Sequence, residues 1–243
     1  MDIDAQGNLY IASWWSGEAS VYVGPHVGFV TRLTPRAAEE RPFPNLHELT
    51  GAELTELLRA ASAVIRFHAQ GEFIQRSTGQ ENLDALTQIV KDRQFPVSGR
   101  VAAMFALKQI LGESSHQLLI AATEDPDLRE LAIRALTDRK SQFAKLNSES
   151  LARFLDDESH RVRVQTLISL GRLGDISVAN AIIPLADTSG TSRPDPAKPH
   201  ADQVIPHLAM KALVQLGAVD ACLDAIEGEH WRGALRVLRS LHS

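Results

Sequence analysis

Residues 156–175 read DDESHRVRVQTLISLGRLGD and contain the clearest structural pattern in the chain. Their apolar residues recur three or four positions apart, which is the spacing of one face of an α-helix. These residues are Val164, Leu167, Leu170 and Leu173. Acidic residues precede the stretch, where they favour the positive end of a helix, and Gly174 is typical of a helix terminus. The stretch therefore predicts an amphipathic helix that ends at Gly174.

The same pattern recurs along most of the chain. Its repeats are centred on Leu107, Leu136, Leu170, Leu213 and Leu235, at intervals of 29, 34, 43 and 22 residues. A shorter apolar helix is predicted before each centre, at 83–90, 116–122, 148–155, 178–185 and 219–226, and an earlier pair lies near 53–58 and 64–74. Helix pairs that repeat every ~30–45 residues indicate an α-solenoid, in which neighbouring pairs share a continuous core. We therefore predict an all-α solenoid of about six helix pairs over residues 48–243, with a proline-containing surface insertion at 187–200.

The first 47 residues have a different character. Strands are predicted over 9–14 and 28–33, with turn residues before the first strand and a Gly24-Pro25 break between them. A two-stranded unit is marginally stable alone, so we expect the hairpin at 1–35 either to cap the first helix pair or to derive from a larger β domain. Residues 36–47 are charged and contain two prolines, which predicts a linker.

Composition limits the classes of function. The chain has 243 residues, of which 44% are apolar and 23% are charged, as in ordinary globular proteins. A net charge of -5 argues against a general nucleic-acid binder. The single cysteine excludes a disulfide framework, a four-cysteine zinc site and attachment of a c-type haem. No stretch approaches the ~18 consecutive apolar residues of a membrane span, and the N-terminus lacks the pattern of a signal peptide, which favours a cytoplasmic location.

Two motifs resemble known bacterial families. The helix motif D-x-x-x-x-R-V-R…L-G-x-L-G-D at 156–175 resembles a HEAT repeat of the short bacterial type, which also occurs in the lyase subunits that attach bilins to phycobiliproteins. The motif D-x-x-G-N-L-Y-I-A at 4–12 resembles the last blade of a sugar-dehydrogenase-like β-propeller. Propeller end, linker and HEAT array occur in this order in multidomain proteins with a c-type cytochrome domain. This resemblance implies an alternative function, a fragment of a sugar or alcohol dehydrogenase-like redox enzyme of the periplasm or cell envelope, without its catalytic and haem parts.

Candidate catalytic and metal-binding residues are few. A metal site would need the insertion to fold back, and the residues concerned are His200, His207, His230, Asp195 and Asp202. No histidine pair at i and i+4 supports such a site, so we predict no metal and no other cofactor. His68 is predicted to be a hydrogen-bonded packing histidine, and Cys222 a buried, inert thiol. No catalytic residue is predicted, since the chain lacks the Gly-x-Ser-x-Gly motif of a hydrolase.

Charge is distributed unevenly, and this is the best indication of function. The five later centre helices, at 98–112, 127–140, 159–175, 204–218 and 229–243, hold 13 Lys/Arg and 5 Asp/Glu, although the whole chain is acidic. Second helices of a solenoid commonly line its binding surface, so we predict a basic groove for an acidic peptide or an adjacent domain. The candidate partner-binding residues are Arg161, Arg172, Lys211, Arg232 and Arg236.

An alternative interpretation is open for the same charges. Arginines of successive repeats can form ion-pair ladders with loop acids, and the residues concerned are Arg129, Arg161, Arg163, Asp125, Asp156 and Asp157. Arg161 and Arg172 are 11 positions apart and share one helix face, whereas Arg163 is turned about 200° from Arg161 and is predicted to meet an acid of a neighbouring repeat. From these observations we predict a non-catalytic HEAT-like scaffold or protein-binding module, by analogy at the level of the fold.

Overall fold

Most of the chain is helical, as the periodicity predicts. The computed structural model describes residues 1–4, 7–14, 28–34, 42–76, 79–142, 146–187 and 201–242. Twelve α-helices lie in these residues: α1 (Gly51–Leu58), α2 (Ala63–Arg76), α3 (Gln80–Lys91), α4 (Val97–Leu111), α5 (His116–Ala122), α6 (Arg129–Leu136), α7 (Ser148–Ala152), α8 (His160–Leu173), α9 (Ala179–Ile182), α10 (Ala201–Leu216), α11 (Val219–Ala225) and α12 (Trp231–Leu241). They follow one another as six pairs.

The chain divides into two compact units, Met1–Ile110 and Leu111–Ser243. In the second unit each second helix packs on the next, α6 on α8, α8 on α10 and α10 on α12, while α5, α7, α9 and α11 pack on their own partners. This nearest-neighbour stacking is the arrangement of a solenoid. The predicted fold class, helix pairs of an all-α solenoid with a short N-terminal β-hairpin, is confirmed.

Four of the five predicted repeat centres lie in the core. Leu107, Leu136, Leu170 and Leu213 are fully buried, but Leu235 is 43% exposed. The prediction for Leu235 is wrong because α12 carries two apolar stripes. Ala234 and Leu238 lie on the buried stripe and take the place that the sequence pattern assigned to Leu235.

The boundaries of α8 agree with the sequence pattern. The helix begins at His160 and ends at Gly174, whose φ of 73° lies in the left-handed region that glycine adopts without strain. The amide of Gly174 donates to the carbonyl of Leu170 at 3.3 Å and closes the helix. The predicted helix at 178–185 is instead split. A 3-10 turn, Ile183–Ala186, follows α9 with Pro184 in its first turn.

The N-terminal sheet has one strand more than predicted. Strands β1 (Asp2–Ile3), β2 (Leu9–Trp14) and β3 (Gly28–Leu33) pair antiparallel in that order, with Ile3 opposite Leu9 and Leu9 opposite Leu33. The turn between β1 and β2 is held by Asp4, whose carboxylate accepts from the Asn8 amide at 2.9 Å and from the Tyr10 hydroxyl at 3.1 Å. Sequence analysis missed β1 because two residues are too short to show a period. The resemblance to a propeller blade stays a prediction.

The end of the predicted linker packs on the first unit. Residues 36–41 of the linker and 188–200 of the insertion lie outside the described residues, but residues 42–47 lie within them. Leu46 is buried, and it begins a 3-10 turn, Leu46–Glu48. The Arg76 guanidinium of α2 donates to the carbonyls of Leu46 at 2.7 Å and Leu49 at 2.6 Å. One arginine therefore fixes the chain at the point where it enters the helical array.

A buried carboxylate holds this arginine in place. Glu72 lies one turn before Arg76 on α2 and accepts from its Nε at 2.7 Å, while His47 lies 3.1 Å from the other carboxylate oxygen. Burial favours the protonated form and raises the pKa of Glu72. Arg76 and His47 outweigh burial, so the pKa of Glu72 lies below its ordinary value.

This shift predicts an acid-sensitive contribution to stability. A carboxyl with a lowered folded-state pKa stabilises the fold above its unfolded pKa and loses that contribution as the pH falls through the folded pKa. We expect the free energy of unfolding of the wild type to decrease below pH ~4.3 more steeply than that of Glu72→Gln, measured by urea titration at several pH values. Glu81→Gln, at an exposed position of α3, is the matched control. Parallel profiles for wild type and Glu72→Gln would contradict the assignment.

Gly233 brings α12 close to the preceding turn. It is buried, and a Cβ at this position would lie 2.8 Å from both the Ala186 carbonyl carbon and the Asp187 nitrogen. Because these are backbone atoms, they cannot move aside cheaply. The glycine therefore sets how closely α12 packs on the turn that ends at Ala186.

We expect Gly233→Ala to destabilise the chain by about 1–3 kcal/mol through overpacking. Gly71→Ala in α2 is the control, since its Cβ would meet nothing within 4 Å, and alanine there should stabilise by about 0.5–1 kcal/mol. Chemical denaturation of both variants measures the difference. Equal effects of the two substitutions would show that the close approach is not a constraint.

Candidate partner-binding surface

Ion pairs join the third and fourth helix pairs. The Arg129 guanidinium at the start of α6 lies 2.8 Å from the Asp157 carboxylate before α8, and both side chains are largely buried. Arg153 pairs with Glu124 and lies over the Phe154 ring, 4.5 Å from its centroid. The predicted ladder is therefore confirmed for Arg129 and Asp157. These contacts connect neighbouring repeats.

Two of the predicted partner-binding residues contact the preceding helix pair. Arg161 places Nε 2.8 Å and Nη2 3.1 Å from the two carboxylate oxygens of Glu130 in α6, although its side chain is 78% exposed. Arg172 donates to the carbonyl of Thr137, at the end of α6, over 3.5 Å. Both lie on the exposed side of α8, as expected from their spacing. The ladder interpretation therefore holds for Arg161 as well, although its acid is Glu130 and not one of the loop acids considered.

Arg163 does not form the contact that was predicted for it. Its Nε is buried without a hydrogen-bond partner, and it takes part in none of the ion pairs found among the described residues. The α6–α8 junction is held instead by a buried bond from the Thr137 hydroxyl to the Ser169 hydroxyl, at 2.7 Å. Small polar groups at this contact carry no charge, so the charge pattern could not reveal them.

The arginines of α12 differ from Arg129 of α6 and Arg161 of α8, which form ion pairs. Arg232, Arg236 and Arg239 form one stripe at positions i, i+4 and i+7, which we call the arginine stripe. Within the part of the chain that the structure describes, none of the three side chains forms an ion pair or a hydrogen bond. Arg232 stacks on the Trp231 ring, 4.6 Å from its centroid. This stripe holds three positive charges with no negative partner.

The arginine stripe lines a groove. The groove encloses about 550 Å³ and is lined by Met210, Trp231, Arg232, Leu235, Arg236, Arg239 and Ser240. Met210 comes from α10, and its sulfur accepts from the Ser240 hydroxyl at 3.6 Å. Trp231 and Leu235 are both more than 40% exposed, so the groove offers apolar area beside its charges. We call this surface the α12 groove.

The α12 groove brings together two of the five predicted residues. Arg232 and Arg236 line it, and Arg239, which was not named among the candidates, completes the stripe. The spacing of i, i+4 and i+7 was the signal for Arg239. Lys211 is exposed on α10 and unpaired among the described residues, but it does not line the groove. Guanidinium groups beside a tryptophan and a leucine suit a ligand that carries both carboxylates and apolar groups.

The candidate metal ligands do not come together as a metal site in the described residues. His230 lies 3.2 Å from Glu229 and 3.9 Å from Asp187, His207 is exposed, and His200 and Asp195 lie outside the described residues. The described residues contain no group of three His, Cys, Asp or Glu side chains placed to hold a metal ion. In the same residues, no helix combines the length and apolar character needed to cross a membrane.

His68 and Cys222 complete the comparison with the sequence. His68 was predicted to be a hydrogen-bonded packing histidine. Its ring packs edge-on against Phe43 at 5.1 Å and Phe67 at 5.8 Å, but it is exposed on α2 and forms no hydrogen bond among the described residues. Cys222 is buried as predicted, and burial raises the pKa of its thiol, which disfavours the reactive thiolate.

Comparisons with known proteins give structural neighbours but no family. No family model matches the chain, and no curated protein matches it. Solved structures with a similar fold include an engineered protein from a structural genomics programme, with 13% identity over 79% of this chain and 96% of that chain and a TM-score of 0.47. Another is the complex of CpcE and CpcF of phycocyanin lyase from Nostoc sp. PCC7120, with 19% identity over 85% of this chain and 82% of that chain and a TM-score of 0.47.

The two inter-repeat ion pairs should differ in strength. Arg161 is mostly in solvent, so its coupling to Glu130 should be about 0–1 kcal/mol, whereas the less exposed Arg129–Asp157 pair should couple by about 1.5–3 kcal/mol. Double-mutant cycles with alanine at each pair, followed by denaturant unfolding, measure both couplings. A larger coupling at Arg161 than at Arg129 would be the contrary result.

Proposed function

We propose that this chain is a non-catalytic, HEAT-like protein-binding module and that the α12 groove is its binding surface. The observation that carries the proposal is the arginine stripe beside Trp231 and Leu235. Tryptophan and arginine are enriched among the residues that contribute most to binding energy at protein interfaces. Three arginines without ion pairs have no role in joining repeats, in contrast to Arg129 and Arg161.

The proposed partner is an acidic protein segment that also carries apolar side chains. The groove is locally basic although the chain as a whole has a net charge of -5, so an acidic partner is attracted to this surface and repelled by much of the remainder. Trp231 and Leu235 supply the area that an apolar anchor would cover. Charge would then act mainly on orientation and association rate, and the apolar contact on the lifetime of the complex.

A role as a scaffold or spacer between domains is consistent with the same surface, since an adjacent domain can supply the acidic segment. The alternative function, as part of a propeller–HEAT–cytochrome redox enzyme, rests on the resemblance of the sequence motifs. A bilin-lyase-like activity has the same basis. Neither alternative is favoured by an arrangement of side chains in the described residues.

Binding can be tested with designed peptides. The probe is a set of fluorescently labelled 16-residue peptides with Asp or Glu at three helical positions and Leu or Phe beside them, and the control set has Asn and Gln in place of the acids. We expect the acidic peptides to bind at micromolar concentrations, and binding to weaken about tenfold or more in high salt because exposed charges are screened. Fluorescence anisotropy measures both effects.

The matched variants are Arg232→Glu with Arg236→Glu, and Arg134→Glu with Arg139→Glu. All four positions are unpaired in the described residues, but only the first two line the groove. The first double variant should abolish binding. The second should leave it within about twofold, because charges that lie outside the groove contribute little to binding there. Equal binding of acidic and neutral peptides, or equal loss in both variants, would refute the proposed function.

A further inference from the structure

The helix before the α12 groove carries a matching pattern of opposite charge. On α11 and the turn that follows it, residues at i, i+4 and i+7 form one apolar stripe and, beside it, one acidic stripe. The apolar residues are Val219, Leu223 and Ile226, and the acidic ones, which we call the acidic stripe, are Asp220, Asp224 and Glu227. All six are exposed, and among the described residues none of the three acids forms an ion pair or a hydrogen bond. Like the arginine stripe, the acidic stripe therefore has no partner of opposite charge among the described residues.

The order of the stripes is the same on both helices. At 100° per residue, the apolar stripe of α11 lies between the buried side, marked by Cys222, and the acidic stripe. On α12, Trp231 and Leu235 likewise lie between the buried side, marked by Leu238, and the arginine stripe. α11 and α12 pack on each other. Their helical-wheel positions then put the two apolar stripes side by side and the two charged stripes at opposite edges of one surface.

The middle of this surface is apolar. Val219, Leu223, Ile226, Trp231 and Leu235 are between 36% and 52% exposed, and we call them the apolar end face. No element among the described residues covers these five side chains. Contiguous exposed apolar patches are uncommon on soluble proteins, so five large apolar side chains side by side indicate a surface that is covered in the functional state.

We infer that a second copy of this chain covers the apolar end face, related to the first by a twofold axis. The inference rests on the proposed function and names the partner of the same surface. A twofold axis that lies in the plane of the interface, parallel to α11 and α12, turns the two faces toward each other and exchanges their edges, so the acidic stripe of each copy meets the arginine stripe of the other. The two apolar end faces are then buried against each other. Such an interface is isologous, the commonest kind in symmetric dimers.

Charge complementarity favours a second copy over an unrelated partner. The α12 groove requires a segment with spaced acids beside apolar residues, and α11 has this composition. One symmetry operation pairs three acids with three arginines twice and leaves neither stripe unpaired. The centre holds tryptophan and leucine and the edges hold the charges, as in interfaces with an apolar core and a polar rim.

Charge exchange tests the dimer in the full-length chain. Variant A carries Arg232→Glu, Arg236→Glu and Arg239→Glu, and variant B carries Asp220→Lys, Asp224→Lys and Glu227→Lys. At about 100 µM, where a micromolar interface is populated, the wild type should sediment at twice its monomer mass of 26.6 kDa. Variants A and B alone should each be monomeric, because like charges then face each other across the axis. A mixture of A and B should restore the dimer, since A is acidic and B is basic on both edges.

The control variant carries Arg134→Glu, Arg139→Glu and Lys140→Glu, which change the net charge as in variant A but lie outside the apolar end face. It should remain dimeric. Circular dichroism confirms that each variant is folded, and restoration in the mixture excludes misfolding as the cause of a monomer. A monomeric wild type, or a dimer that persists in A and B, would overturn the inference. If the wild type is monomeric and still binds the acidic peptides at the α12 groove, the inference fails while the proposed function stands.

Discussion

The structure depends on one constraint, that no helix pair buries its apolar surface alone. In the second unit the core forms only where α6, α8, α10 and α12 pack on one another, with Leu136, Leu170 and Leu213 fully buried along the stack. Each pair therefore depends on its neighbours for its core. The apolar end face is the part of α11 and α12 that no element among the described residues covers, and it lies beside the two charged stripes.

Sequence periodicity is sufficient to predict most of this architecture, because a buried helical face must repeat every three to four residues. The boundaries of α5 and α8 and the six pairs follow from that spacing alone. Prediction fails where the period is ambiguous or too short. Leu235 belongs to the second apolar stripe of α12, and β1 has only two residues. The anchoring of Leu46 by Arg76 joins positions 30 apart, which local patterns do not relate.

Part of the candidate site can be predicted from the distribution of charge along the sequence. Arg232 and Arg236 were recognised as basic residues of a second helix, and they line the α12 groove. Arg161 and Arg172 fitted the same pattern, but Glu130 and the Thr137 carbonyl engage them from positions 31 and 35 residues earlier. Two sets of arginines that are alike in sequence are therefore separated only by their partners in space. The ladder and the groove, which the sequence left as alternatives, occupy different helix pairs.

Arg76 also has a consequence for the N-terminal sheet. Because this side chain fixes the chain around Leu46 and Leu49, the sheet is joined through the backbone to a fixed point beside α2, within the same unit. Eight Cα–Cα steps separate Thr34 from Pro42, so their covalent connection limits the distance between them to at most about 28 Å. A group confined within such a radius has an effective concentration of the order of millimolar near its anchor. Even a weak affinity of the sheet for the nearby α2 surface is then enough to keep the two associated.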